Sequence, residues 1–381
     1  MAANPESSIS RRDLWRGLSL GELLARELGG GKALKKLFVL TIGAVTAALL
    51  TMSVVAMSNP ASGSTSGVHT INLGAGPITV GKGTLSIAFF SAGSTDAYLQ
   101  SANSAAIAAA KRAGVKLTFF DGNFSPVTET NQLQQALATG HYTGWAVESD
   151  NACNIMKHAI KKGILISVFN GPQCKSITAP GVAAWEPGTL NFVAGDETRA
   201  SFQNWLNKIV SLNPGPQQML VLEGPSGISQ TTFTNEAIAQ VEKSDPQMKI
   251  ITELVPAYTL AGADTATAAV LTANPNLTIV AGNYSDLTLG AVVAIKAAGK
   301  MGNINVYDSG GSKQVITEIK AGEIKLTQPY LPATESVDAV ESIINAWHGK
   351  LGPHYVDIMK SLPGGQQFIT KANVNNFRPQ Y

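Results

Sequence analysis

Residues 145–170 read WAVESDNACNIMKHAIKKGILISVFN, and residues 279–308 read IVAGNYSDLTLGAVVAIKAAGKMGNINVYD. Each stretch is a short apolar run, a polar loop, an amphipathic pattern closing on AIKKG or AIKAAG, and a second apolar run. The second runs stop on polar residues, Asn170 and Asp308. Strand-length apolar runs flanking a helical period predict a βαβ unit with parallel strands. The same unit written twice, far apart in the chain, predicts two lobes of similar design. In an open parallel sheet, ligands bind just beyond the carboxyl ends of the strands. Two such edges facing each other frame a cleft, with Asn170 expected on one wall and Asp308 on the other.

The same rhythm continues on both sides of these units. It predicts strands at 85–90, 115–120 and 164–169, and helices at 96–113, 128–139 and 150–162. Asp96 is placed as an N-cap and Gly114 and Gly140 lie just past helix ends. A second series follows, with strands at 191–194, 218–222 and 249–255 and helices at 197–212, 229–243 and 264–273. Beyond the second unit come a helix at 312–320, a strand at 324–327 and a helix at 333–348. The fold class is therefore α/β: two similar doubly wound parallel-sheet lobes joined by more than one chain crossing. The expected first lobe is 83–186 with 331–350, and the second is 187–330. Residues 351–381 read as an irregular tail packed on the lobes.

The chain has 381 residues, enough for two domains with sizeable cores. Its net charge is +2, and much of the basic surplus precedes residue 37. Nucleic acid is excluded as an expected partner, because it calls for a basic face on the folded domain. Leu37–Met57 is a run of 21 residues without a charge, long enough to span a bilayer. Residues 1–36 hold seven Lys/Arg and four Asp/Glu, so the positive-inside rule puts the lobes outside the cytoplasm. Two readings of 37–57 stand side by side: an uncleaved membrane anchor, or a signal peptide cut near Ala56-Met57-Ser58. Residues 58–82, rich in Gly, Ser, Pro and Thr, read as a flexible tether. Cys153 opens the helix of the first unit and Cys174 follows its closing strand, so both sit at one edge of one lobe. An oxidising compartment favours a disulfide between them over two free thiols.

No catalytic constellation is visible. The five His are scattered at 69, 141, 158, 348 and 354 without metal-ligand spacing. No Cys/His cluster suits zinc, and no glycine-rich phosphate loop opens a helix. The expectation is a protein that binds rather than one that turns over substrate, with no cofactor and no metal.

Taken together, LSIAFFSAGSTDAYLQSANSAAIAAAKRAGVKLTFFDG (85–122), the two doubled units, NINVYDSGG (303–311) and GEIKLTQPYLP (322–332) resemble the type I periplasmic binding proteins. The resemblance covers about residues 83–350 and points to the ribose-binding-like, sugar-type receptors of ABC importers. It implies two hinged lobes that close on one small ligand and then dock on permease subunits. Carried over by position, it implies ligand contacts from Ser91, Asp96 and Tyr98 in the loop after the first strand. It further implies contacts from Asn170, Phe233, Asn283 and Asp308, and from Gln328 or Tyr330 in a crossing segment. Planar Asp, Asn and Gln groups suit adjacent hydroxyls, and aromatic faces suit the apolar faces of sugar rings. The alternative is a membrane-anchored sensor of the same fold that signals to a kinase or chemoreceptor.

Overall fold

The computed structural model describes residues 67–149, 152–174, 179 and 181–381. The leader at 1–36, the apolar run at 37–57 and the first part of the expected tether lie outside the described residues. Among the described residues no helix is long and apolar enough to cross a membrane.

The chain enters through a hairpin, β1 (His69–Asn72) and β2 (Pro77–Val80), paired antiparallel. Ile71, Leu73 and Val80 are buried in the core, and the Leu73 carbonyl accepts the Gly188 amide at 2.6 Å. The tether reading is corrected here: the Gly/Ser/Pro-rich composition hid three apolar side chains that anchor a hairpin to the lobe.

The first lobe then runs β3 (Ser86–Ser91), α1 (Ala97–Arg112), β4 (Lys116–Asp121), α2 (Pro126–Thr139), β5 (Gly144–Val147), α3 (Cys153–Lys161), β6 (Leu165–Phe169) and β7 (Asn191–Ala194). The second runs α4 (Arg199–Leu212), β8 (Gln217–Glu223), α5 (Ser229–Ser244), β9 (Met248–Leu254), α6 (Leu260–Ala273), β10 (Ile279–Gly282), α7 (Ser285–Ala297), β11 (Asn305–Gly310), α8 (Lys313–Ala321) and β12 (Ile324–Pro329). Helix α9 (Pro332–Trp347) and strand β13 (Tyr355–Asp357) return to the first lobe, and β14 (Ile369–Thr370) pairs with β12 of the second.

Each lobe is built on a six-stranded sheet, in the orders β4-β3-β5-β6-β7-β13 and β9-β8-β10-β11-β12-β14. The first five strands of each list have the same order and are parallel. The doubled sequence is thus a doubled position: β5-α3-β6 and β10-α7-β11 occupy equivalent places. Strands β5, β6, β7 and β10 are buried at every residue, because helices cover both faces of a parallel sheet. Packing is close where glycine permits it. A Cβ on Gly144 of β5 would collide with Ile343 of α9, so this glycine lets α9 lie directly on the sheet.

The chain passes between lobes three times, after β7, after β12 and after β13. Two boundaries therefore differ from the sequence reading. Strand β7 completes the first sheet rather than opening the second, and β13 and β14 turn the tail into an edge strand for each lobe. The first two crossings are tied together at Asp196, which is fully buried. Its carboxylate accepts the Leu331 amide at 2.8 Å, and its carbonyl accepts the Gln328 side chain at 3.1 Å.

Candidate functional site

Both lobes turn their strand carboxyl ends toward a common cleft. Strand order reverses between β3 and β5 in the first lobe and between β8 and β10 in the second. Reversal points of this kind open a crevice, because the helices after the two strands leave to opposite faces. The residues that follow those four strands line the cleft: Ala92 and Asp96, Glu148 and Ser149, Pro225, and Tyr284. The cavity holds about 160 Å³, room for on the order of ten water-sized groups.

The walls mirror each other. Phe124 lies after edge strand β4, and Tyr258 lies after edge strand β9. Each adopts a left-handed backbone, with φ 51° at both. Each ring rests where a glycine leaves room: Phe124 over Gly93, and Tyr258 over Gly224. A Cβ at either glycine would collide with the ring, so both aromatic walls depend on them.

Asp96 does two jobs. Its carboxylate caps α1 by accepting the Leu99 amide at 2.8 Å, and it also lines the cleft, where Tyr284 from the opposite lobe reaches it at 3.5 Å. Burial raises its pKa, while the Leu99 amide opposes that rise. Tyr98 lies in the first turn of α1. It accepts the Asn170 amide at 2.7 Å and donates to Glu335 at 2.7 Å. Asn170 itself sits in the left-handed region at φ 61°, a conformation that Asn tolerates better than most side chains. Its amide also bonds Glu197, which burial first, and then Asp196 and Glu148, push well above the usual carboxylate range. On the far wall Gln230 donates to the Asn283 carbonyl at 3.0 Å and to Tyr330 at 3.1 Å, and accepts from Tyr258.

Of the expected contacts, the structure brings Asp96, Tyr98 and Asn170 together on the cleft lining and sets the others behind it. Ser91 is buried, bonded to the Gly93 carbonyl at 2.8 Å and Glu148 at 3.2 Å. Phe233 faces inward beneath the Arg199 guanidinium, 4.8 Å from its ring centroid. Asn283 and Tyr330 are fully buried and bonded together, the Tyr330 hydroxyl donating to the Asn283 carbonyl at 2.8 Å. Gln328 is spent on the Asp196 carbonyl. Asp308 is corrected most clearly. Its polar character does not mark a strand end, because β11 runs on to Gly310. Its carboxylate is fully buried and accepts from Thr288 at 2.7 Å, Thr327 at 2.6 Å and the Gly311 amide at 2.8 Å.

Sequence reasoning missed Phe124, Glu148, Glu197, Tyr258 and Tyr284 as lining residues. Glu148 and Tyr284 were findable, since each follows a strand at a reversal point. Phe124 and Tyr258 were not, since their seats depend on glycines distant in sequence.

Cys153 and Cys174 are joined, with Cα atoms 4.7 Å apart. The bridge ties the loop carrying Asn170 and Gly171 to the start of α3.

Three buried carboxyls predict a pH dependence. Burial raises Asp196 and Asp308 from 3.8 to about 6 and Glu223 from 4.5 to about 7, against the hydrogen bonds each accepts. The folded chain therefore holds these protons more tightly than the unfolded chain, so acid favours the fold. The contribution is complete below the unfolded values and is lost as pH rises through about 6 to 7. Thermal melts should show a melting temperature that climbs by several degrees between pH 8 and pH 5. A flat or falling profile would contradict the assignment.

The fold has many solved counterparts. A solute binding protein of an ABC transporter from Bacillus halodurans C-125, with bound myo-inositol, superposes with TM-score 0.67 at 16% identity, over 78% of this chain and 99% of its own. One from Mycobacterium smegmatis, with bound glycerol, gives 0.64 at 21% identity over 77% and 96%. One from Agrobacterium vitis, bound with α-D-tagatopyranose, gives 0.61 at 21% identity over 76% and 96%. No curated protein matches the sequence. The model of the periplasmic binding protein domain matches residues 87–351, which takes in the five parallel strands of each lobe and leaves out the hairpin β1–β2 and the edge strands β13 and β14. With most of the chain matched and two lobes of one strand order around a cleft, this protein belongs to the periplasmic binding protein domain family.

Proposed function

We propose that this chain captures one sugar or sugar-like polyol between its lobes, outside the cytoplasm, and delivers it to the permease subunits of an ABC importer. The observation that carries the reading is the cleft at the paired reversal points. It has monosaccharide size, planar polar groups from Asp96, Asn170, Glu148 and Gln230, and ring faces from Tyr258 and Tyr284. Fixed acceptors and donors suit a polyhydroxylated ligand, and rings suit its C–H faces. The structural counterparts carry inositol, glycerol and a ketohexose, which agrees with that chemistry. On this reading the chain turns nothing over, and closure of the lobes is its only working step. Attachment to the membrane through 37–57, or release by cleavage there, completes the same picture.

A thermal-shift screen of the purified protein against hexoses, pentoses and cyclitols tests the proposal. At least one should raise the melting temperature in a saturable way. A ligand present at about 100 times its Kd adds about 2.7 kcal/mol. If no member of the panel shifts the melt, the reading fails.

A further inference from the structure

The tail does more than lend each lobe an edge strand. Past β14 it reaches Gln380 and Tyr381, and these two residues hold on to both lobes. The Gln380 side chain caps the start of α9. Its oxygen accepts the Ala333 and Thr334 amides at 2.8 and 3.2 Å, and its nitrogen donates to the Thr334 hydroxyl at 2.7 Å. The Gln380 main-chain oxygen accepts the Ser101 hydroxyl of α1 at 2.7 Å. On the second lobe, the Tyr381 main-chain oxygen accepts the Lys313 amide at the start of α8 at 2.8 Å. The Tyr381 hydroxyl lies 3.4 Å from that of Ser285, the first residue of α7.

Between these anchors the Tyr381 ring is buried. Tyr284 lies almost parallel to it, at 6.4 Å and 11°. Tyr98 meets it edge-on, at 5.9 Å and 81°. Both are geometries that aromatic pairs favour. Tyr98 and Tyr284 line the cleft from opposite lobes, whereas Tyr381 does not line it. Tyr258 and Tyr330 extend the row, 5.2 Å from Tyr284 and 6.1 Å from Tyr98. A continuous row of tyrosines thus runs from one wall to the other, with Tyr381 in the middle. A Cβ at Gly310 would come within 2.8 Å of the Tyr381 hydroxyl, so this glycine keeps the seat open.

Resting on the proposed capture of a sugar between the lobes, we infer that Tyr381 is a positioning residue for that ligand: from behind the cleft it fixes the rings of Tyr98 and Tyr284 and sets the register in which the two walls meet the sugar. Side chains locked by their neighbours lose less freedom on binding, and that saving appears as affinity.

Calorimetric titrations of myo-inositol, D-tagatose and D-galactose into wild type, Tyr381→Ala and Tyr381→Phe test this, at a temperature where all three proteins are folded. For each sugar that binds wild type, alanine should weaken affinity by about tenfold or more, and phenylalanine, which keeps the ring contacts, by less than about threefold. Tyr381→Leu keeps apolar bulk without a ring. It is expected to lose affinity as alanine does, and it replaces alanine should that variant not fold. Hydrogen exchange without ligand is the second readout. In the ringless variant, amides at the starts of α1 and α7 should exchange faster, while β5 and β10 keep their wild-type protection. A tail that merely adds stability would lower the melting temperature and leave the affinity of the folded protein unchanged. A ringless variant with wild-type affinity, or with unchanged exchange at both helix starts, would overturn the inference. A phenylalanine variant as weak as alanine would overturn the role of the ring. The exchange result decides the inference even if none of the three sugars binds wild type, an outcome that would count against the sugar reading alone.

Discussion

Asp308→Ala is expected to destabilise the fold by about 3 kcal/mol. The substitution leaves two threonine hydroxyls and the Gly311 amide, all in a fully buried setting, without their shared acceptor. Thr288 has weaker alternatives in the Gly282 and Tyr284 carbonyls at 3.4 and 3.3 Å, which limits its share. The loss falls mainly on Thr327 and on the turn into α8. Asp308→Asn keeps the shape but points a donor at one of the donors, so it should cost less than alanine. Urea melts of the three proteins check the order. Ligand affinity, measured at a temperature where the variants remain folded, should stay within about threefold of wild type, because Asp308 does not line the cleft. A stable variant that has lost its ligand would return Asp308 to the binding surface.

Opening the disulfide should have an effect of similar size. Cys153 and Cys174 are separated by 21 positions, and closing a loop of that length stabilises by about 3 kcal/mol through the unfolded chain. The bridge also pins the segment on which Asn170 holds a left-handed turn. Reduction, or a Cys153→Ser, Cys174→Ser double variant, should therefore lower the melting temperature and weaken ligand binding together. Stability unchanged by reductant in a protein shown by mass to be oxidised would contradict this role.

The architecture was legible in the sequence because a parallel sheet writes itself plainly. Strands covered on both faces appear as unbroken apolar runs such as LISVF at 165–169, and helix ends carry their glycines. The doubled unit located both lobes correctly. What the sequence did not reveal was where each polar residue points. Asn170 and Asp308 close the two doubled stretches of sequence, yet one faces the cleft and the other is sealed in the sheet. The difference is two further residues of strand in β11, Ser309 and Gly310, paired with Gln328 and Pro329. Asp196 and Glu335 were equally hidden. A buried carboxylate is recognisable only when its distant partners are known, here Leu331 for Asp196 and Tyr98 for Glu335. The hairpin at 69–80 was masked by its composition, since its few anchoring side chains stand among residues typical of linkers.

On the proposed reading, one small polar ligand sits in the interlobe cleft, on Asn170 and Gln230 from opposite walls. Isothermal titration of the ligand that most stabilises the protein, into wild type and into Asn170→Ala and Gln230→Ala, tests it most directly. One site per chain is expected, and for each variant a loss of at least about tenfold in affinity, about 1.4 kcal/mol. Unchanged affinity in both variants, or more than one site per chain, would contradict it.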